Sequence, residues 1–257
     1  MPEKRFSTYN YNACAHAFSG RFTRPFNEVI DVQAASALPI IGGYGSSRVE
    51  NFKYREFISF KAGYTHVSGG HQEDDDSHNT LVTSTLEGLN LLDVVTADRV
   101  VCRLYSKHLP GKKESEITMV GSKFENLRIA GHPVKIEFDF ELFESIPTYA
   151  HATNEFAKKS KFRKIAGDPF QSGASLPDPG PNGVFLCSFV KELDTDCPGV
   201  KPQGHWFHIK GFGTIFLGEV LMKHGERTLT MIRVKFGSST SGDGSGGSTR
   251  SNGTHFP

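Results

Sequence analysis

One tryptophan, four cysteines and four methionines stand in 257 residues. The aromatic mass therefore rests on 21 phenylalanines and seven tyrosines. No run approaches the ~20 consecutive apolar residues that a membrane-spanning helix needs, so no membrane span is expected. Charge of one sign is also missing: 29 Lys and Arg face 28 Asp and Glu, for a formal charge of +1. That balance removes the general case for nucleic-acid binding. Cys14, Cys102, Cys187 and Cys197 form neither a CxxC pair nor a zinc spacing. Cys102 and Cys187 sit in apolar runs and read as buried free thiols. Cys187 and Cys197 would close a loop only in an oxidising compartment. The first ten residues are charged and polar, without the apolar stretch of a secretory leader. The expectation is a cytoplasmic protein, or an extracellular one if a leader has been removed. No P-loop, GxSxG, HExxH or paired-carboxylate signature occurs, and the GxGxxG spelled by Gly242 to Gly247 lacks the strand and helix it requires. No cofactor and no metal site are expected.

What is present is β-strand pattern. Val134, Ile136, Phe138 and Phe140 alternate with Lys135, Glu137, Asp139 and Glu141. Period two with one apolar and one charged face predicts an antiparallel strand with one wet side. Residues 57–60, 81–86, 94–104, 184–193, 206–209, 214–222 and 228–236 read as further strands. In the last of these, the apolar positions keep no single alternation, which suggests a bulge or burial on both sides. A helical interval spans 147–167, with Thr148 as N-cap and Ser160 restarting a second short helix. The expected fold is mainly β, a sandwich, roll or barrel-like core over 1–236. A stiff Pro-rich linker follows the helices at 176–183. Residues 237–257, rich in Gly and Ser, read as a flexible tail, or as one that docks on a sheet or mediates self-association.

Residues 85–98, TLEGLNLLDVVTAD, and 121–131, GSKFENLRIAG, together resemble segments of uncharacterised bacterial β-rich proteins. These include the "choice-of-anchor" group of surface-associated proteins. The resemblance covers about a fifth of the chain. It implies a β-sandwich or β-roll at the cell surface and brings no active site with it.

Three segments offer chemistry. The acidic stretch from His71 to His78 lacks the spaced oxygens of a calcium loop and reads as a solvated hairpin tip. Lys158, Lys159, Lys161, Arg163 and Lys164 read as a solvated helix face. His205-Trp206-Phe207-His208 is the third: strand alternation puts Trp206 and His208 on one face, with His205 and Phe207 on the other. An indole beside an imidazole suits a polar ring or a sugar. Two functions follow. The first is a non-catalytic binding or self-assembling protein with a small-molecule or sugar ligand at Trp206 and His208. The alternative is an enzyme whose His/acid site, with or without a metal, draws on His132, His205, His208, Asp98 and Glu219 and acts on a small polar or carbohydrate-like substrate.

Overall fold

The computed structural model describes residues 8–158, 160–167, 183–237 and 240–256. The chain opens with β1 (Thr8–Arg24), β2 (Glu28–Gln33), β3 (Ser36–Ala37) and β4 (Gly43–Tyr54). Long hairpin strands follow: β5 (Ile58–Gln72), β6 (Ser77–Leu91) and β7 (Val95–His108). Short strands β8 (Glu116–Thr118), β9 (Lys123–Glu125) and β10 (Arg128–Ile129) lead to β11 (His132–Phe138). Three helices interrupt, α1 (Phe140–Ser145), α2 (Tyr149–Ala157) and α3 (Lys161–Gly167). After them come β12 (Phe185–Ser188), β13 (Val190–Thr195), β14 (Pro202–Gln203), β15 (Trp206–Ile209) and β16 (Gly213–Lys223). The last two strands are β17 (Glu226–Phe236) and β18 (Ser241–Phe256).

These strands form two open antiparallel sheets that face each other as a sandwich. The first runs β14-β15-β16-β17-β18-β1-β2, with β12 also on β16 and β3 on β1; the second runs β13-β11-β10-β7-β6-β5-β4, with β8 and β9 on β7. The core between them holds Phe18, Phe22, Leu86, Val100, Leu217 and Ile232, each at most 2% exposed. Each such side chain contributes about 1.5–3 kcal/mol by leaving water.

Both sheets turn over once along their length. In the first, the ladders skip Ala17/Gly247, Gly247/Met231 and Met231/Gly218. Across that row the buried positions change parity, from Ile215 and Leu217 to Val220 and Met222. Gly218 and Gly247 both have φ of 60°, a conformation glycine takes without Cβ strain. The second sheet repeats the device at Asn51/Lys61 and Gly88/Asp98. This row explains why β17 shows no single alternation: Leu229 is buried before it, Met231 within it, and Ile232 and Val234 after it.

Three expectations are corrected. Of the two readings of the tail, the flexible one is overturned and docking on a sheet holds: the segment from Gly242 to Arg250 belongs to β18, which pairs with β17 on one side and β1 on the other. Its glycines serve close approach. A Cβ on Gly246 would lie 2.8 Å from Leu86 Cδ1 and 3.1 Å from Ile232 Cγ2. The period-two run ends at Phe138, because the Asp139 side chain accepts from Leu142 N and starts α1, so the helical insertion begins at residue 140. Residues 184–193 make two strands instead of one, with β12 in the first sheet and β13 in the second. Phe189, at the crossing, is fully buried and stacks on Phe138 at 4.2 Å. As read from the sequence, Cys102 and Cys187 are buried free thiols; Cys14 and Cys197 are free too. As read from the sequence, the Thr148 side chain caps α2 through His151 N. Of the expected Pro-rich linker, residues 176–182 lie outside the described residues.

Candidate functional site

Strand β15 places the sequence-predicted pair. Phe207 is fully buried and His205, in the turn before it, is 6% exposed, while Trp206 is half-buried and His208 exposed. Trp206 and His208 therefore share the outer face of the first sheet. Trp206 pairs with Phe216, Phe216 with Arg233, Arg233 with Ser245 and Ser245 with Ser19. Five strands thus present one straight row of side chains. The indole and the Phe216 ring lie 6.1 Å apart, and the Arg233 guanidinium sits 3.8 Å above the Phe216 ring. The Trp206 N–H is covered and has no hydrogen-bond partner among the described residues. His208 Nδ1 lies 3.1 Å from Thr214 Oγ1.

A second row lies beside the first: Ser188, Glu219, Thr230, Ser248 and His16. Arg233 joins the two rows, donating from Nε and Nη2 to the two Glu219 oxygens at 2.6 Å each. His205 Nε2 lies 3.8 Å from Glu219 Oε1. Burial alone would raise the Glu219 carboxyl, but the Arg233 and His205 interactions outweigh it and hold it below the usual carboxylate range. Beyond Arg233 a groove of about 440 Å³ opens over β18, β1 and β2, lined by Ser19, Val29, Asp31, Val32 and Ser245.

The structure therefore joins His205 with Glu219 on the sheet that carries Trp206 and His208. His132 and Asp98 sit on the other sheet. The His132 ring pairs with Asp196 at 3.1 Å, and Asp98 is exposed and accepts from Asn126 at 2.6 Å. Sequence reasoning missed Arg233, Phe216, Ser245 and Ser19. Only cross-strand register brings them to Trp206, and nothing in the linear spacing encodes that register.

Two other polar sites were also hidden. The Glu114 carboxylate accepts from the amides of Tyr149 at 2.8 Å, Ala150 at 3.3 Å and Gly225 at 3.4 Å. It fills the anion position at the start of α2 and floors a groove of about 480 Å³ edged by Lys112, His151, Asn154 and His224. Because its oxygens are already taken by backbone donors, Glu114 acts as a strut between β7, α2 and the β16–β17 turn. At the β5–β6 hairpin, residues 73–76 are exposed as expected. His78, however, stacks on Tyr9 at 4.2 Å and meets the Tyr11 hydroxyl at 2.8 Å from Nδ1. Among the described residues, no group of three or more His, Cys, Asp or Glu could hold a metal ion.

An open two-sheet sandwich with an aromatic and polar row on one outer face defines the class of protein. The chain belongs to the family described as Domain of unknown function (DUF8256), which matches residues 9–223. No curated protein and no solved structure matches it. The two segments that resemble surface-associated β-rich proteins fall on β6–β7 and on β9–β10, where Leu86, Leu89, Leu91, Val95, Leu127 and Ile129 build the core. They carry fold and contribute nothing to the site.

Proposed function

We propose that the protein is a non-catalytic binding module whose ligand is a sugar or a similar polar ring held on the outer face at Trp206 and His208. The observation that carries this reading is the in-register row from Trp206 through Phe216 and Arg233 to Ser245 and Ser19. The half-buried Trp206 ring, backed by buried Phe216, takes the apolar side of a sugar ring, and hydroxyl, imidazole and guanidinium groups take its hydroxyls. The resemblance to surface-associated proteins fits such a role. Catalysis by His205 and Glu219 is disfavoured on geometry. The Glu219 side chain is 9% exposed and both its oxygens are bound by Arg233, whereas a general base must reach the proton it takes. Because Trp206 is the only tryptophan, its emission reports on the site directly. Titration with neutral mono- and oligosaccharides is expected to give a saturable emission change for at least one series. Emission unmoved by all of them would reject the reading.

A further inference from the structure

We propose that this site, on the sugar-binding reading above, takes a neutral glycan chain lying across the strands from Trp206 to Asp31, and not a single sugar ring. Length is the first argument. At ~4.8 Å between neighbouring strands, the four steps from β15 to β1 span about 19 Å and the fifth, to β2, about 24 Å. That distance is several sugar rings long. The two ends differ in chemistry, as subsites for successive rings would. The half-buried Trp206 ring stands at one end, packed beside Phe216, which is itself buried beneath Arg233. At the other, Ser19, Asp31 and Ser245 stand among the exposed side chains of Val29 and Val32, in a groove already open to a ligand. Arg233 lies between them and is held rigid by its two bonds to Glu219. Its Nη1 makes no hydrogen bond among the described residues, which leaves a fixed donor midway along the path.

Charge is the second argument. Arg233 is matched by Glu219. Asp243 stands in register between Lys235 and Arg21, and Asp31 joins Asp243 in the lining of the groove, so these four add no net charge. The surface keeps no surplus of either sign, so it rewards hydroxyls over carboxylates or sulfates. A chain also gains from the strands' rigidity, because the subsites are prepaid in position and each added ring loses little further freedom.

Calorimetric titration of the full chain with cello-, manno- and xylo-oligosaccharides of one, two, four and six units tests this. For the series that binds, affinity is expected to rise at least tenfold from one unit to four. Asp31→Ala, at an exposed position, is expected to weaken the six-unit ligand at least threefold and leave the one-unit ligand unchanged. Trp206→Phe and Trp206→Ala, each checked for folding by circular dichroism, should weaken ligands of every length, the alanine variant more. A one-unit ligand binding as tightly as six units, an Asp31→Ala variant identical to the parent, or oligogalacturonate binding tighter than the neutral series would overturn the extended site while leaving a sugar site at Trp206 intact. If none of the three series binds, the sugar-binding reading itself fails and this proposal with it.

Discussion

Arg227 is the costliest side chain of the interior. It is 2% exposed, and burial pushes its guanidinium down to about 10. It is retained because it donates to two carbonyls that would otherwise be orphaned, those of Ile117 at 2.7 Å and of Ile146. Arg227→Ala removes both donors and leaves a cavity, so a loss of about 3–5 kcal/mol in urea melts is expected. A loss below about 1 kcal/mol would show that water replaces the guanidinium. Glu219 makes a pH-dependent contribution. Its folded carboxyl is held below its unfolded value, so the stabilisation is fully present above the unfolded carboxylate range and is lost as pH falls through the folded value. Glu219→Gln is expected to be less stable than the parent at pH 7, with the difference shrinking toward pH 3. A constant difference in denaturant melts across that range would assign the effect to packing.

At the scale of elements, β18 shows how composition misleads. Gly and Ser are the residues of linkers, and they are equally the residues of a strand against which another sheet packs closely. Here small inward hydroxyls bond across the interface, Ser251 to Thr80 at 2.6 Å and Thr249 to Cys102 Sγ at 3.2 Å. Removing residues 241–257 takes the strand between β17 and β1 out of the first sheet, so the truncated chain is expected to lose its cooperative melt. A flexible tail would have been dispensable. Gly246→Val should cost about 1–3 kcal/mol by overpacking against Leu86 and Ile232, while Ser245→Ala, on the outer face, should stay within about 0.5 kcal/mol. Equal effects in thermal melts would reverse the assignment of faces. The α1 boundary teaches the complementary lesson. Alternation continues through Phe140 in the sequence, but the Asp139 cap and the Phe138–Phe189 stack end the strand first.

Over the whole molecule, two open sheets leave edges that must not pair with other chains. The outer edge of β4 carries no described strand. It is guarded by exposed Arg48, Glu50 and Lys53 and by the turned backbone at Asn51, φ 51°, devices that oppose edge-to-edge pairing. Replacing the three charged residues with valine is expected to raise light scattering over the parent at equal concentration; unchanged scattering would show that the edge is covered in another way. The same closed interior governs the thiols. Cys102 and Cys187 are buried and pushed up to about 12 by desolvation, Cys197 is 7% exposed, and only Cys14 is half-buried. An aromatic disulfide reagent should therefore titrate about one thiol in the native protein and four after denaturation. Rapid reaction of all four without denaturant would mean that the sandwich opens readily.

Local pattern alone determined the β class, the approximate places of β5, β6, β7, β16 and β17, the Thr148 cap of α2, and the split of Trp206 and His208 from Phe207. Each of these depends on neighbours within a few residues, where alternation and capping act. Tertiary structure decided the rest: the strand identity of residues 241–256, the transfer of the chain between sheets at Phe189, and the alignment of Trp206 with Arg233 and Ser19 in one row. Those outcomes depend on register between strands far apart in the chain, as for Ser19 and Ser245, 226 residues apart. The pairing free energy that selects such a register is a property of the assembled faces, and no short window of sequence contains both sides of it.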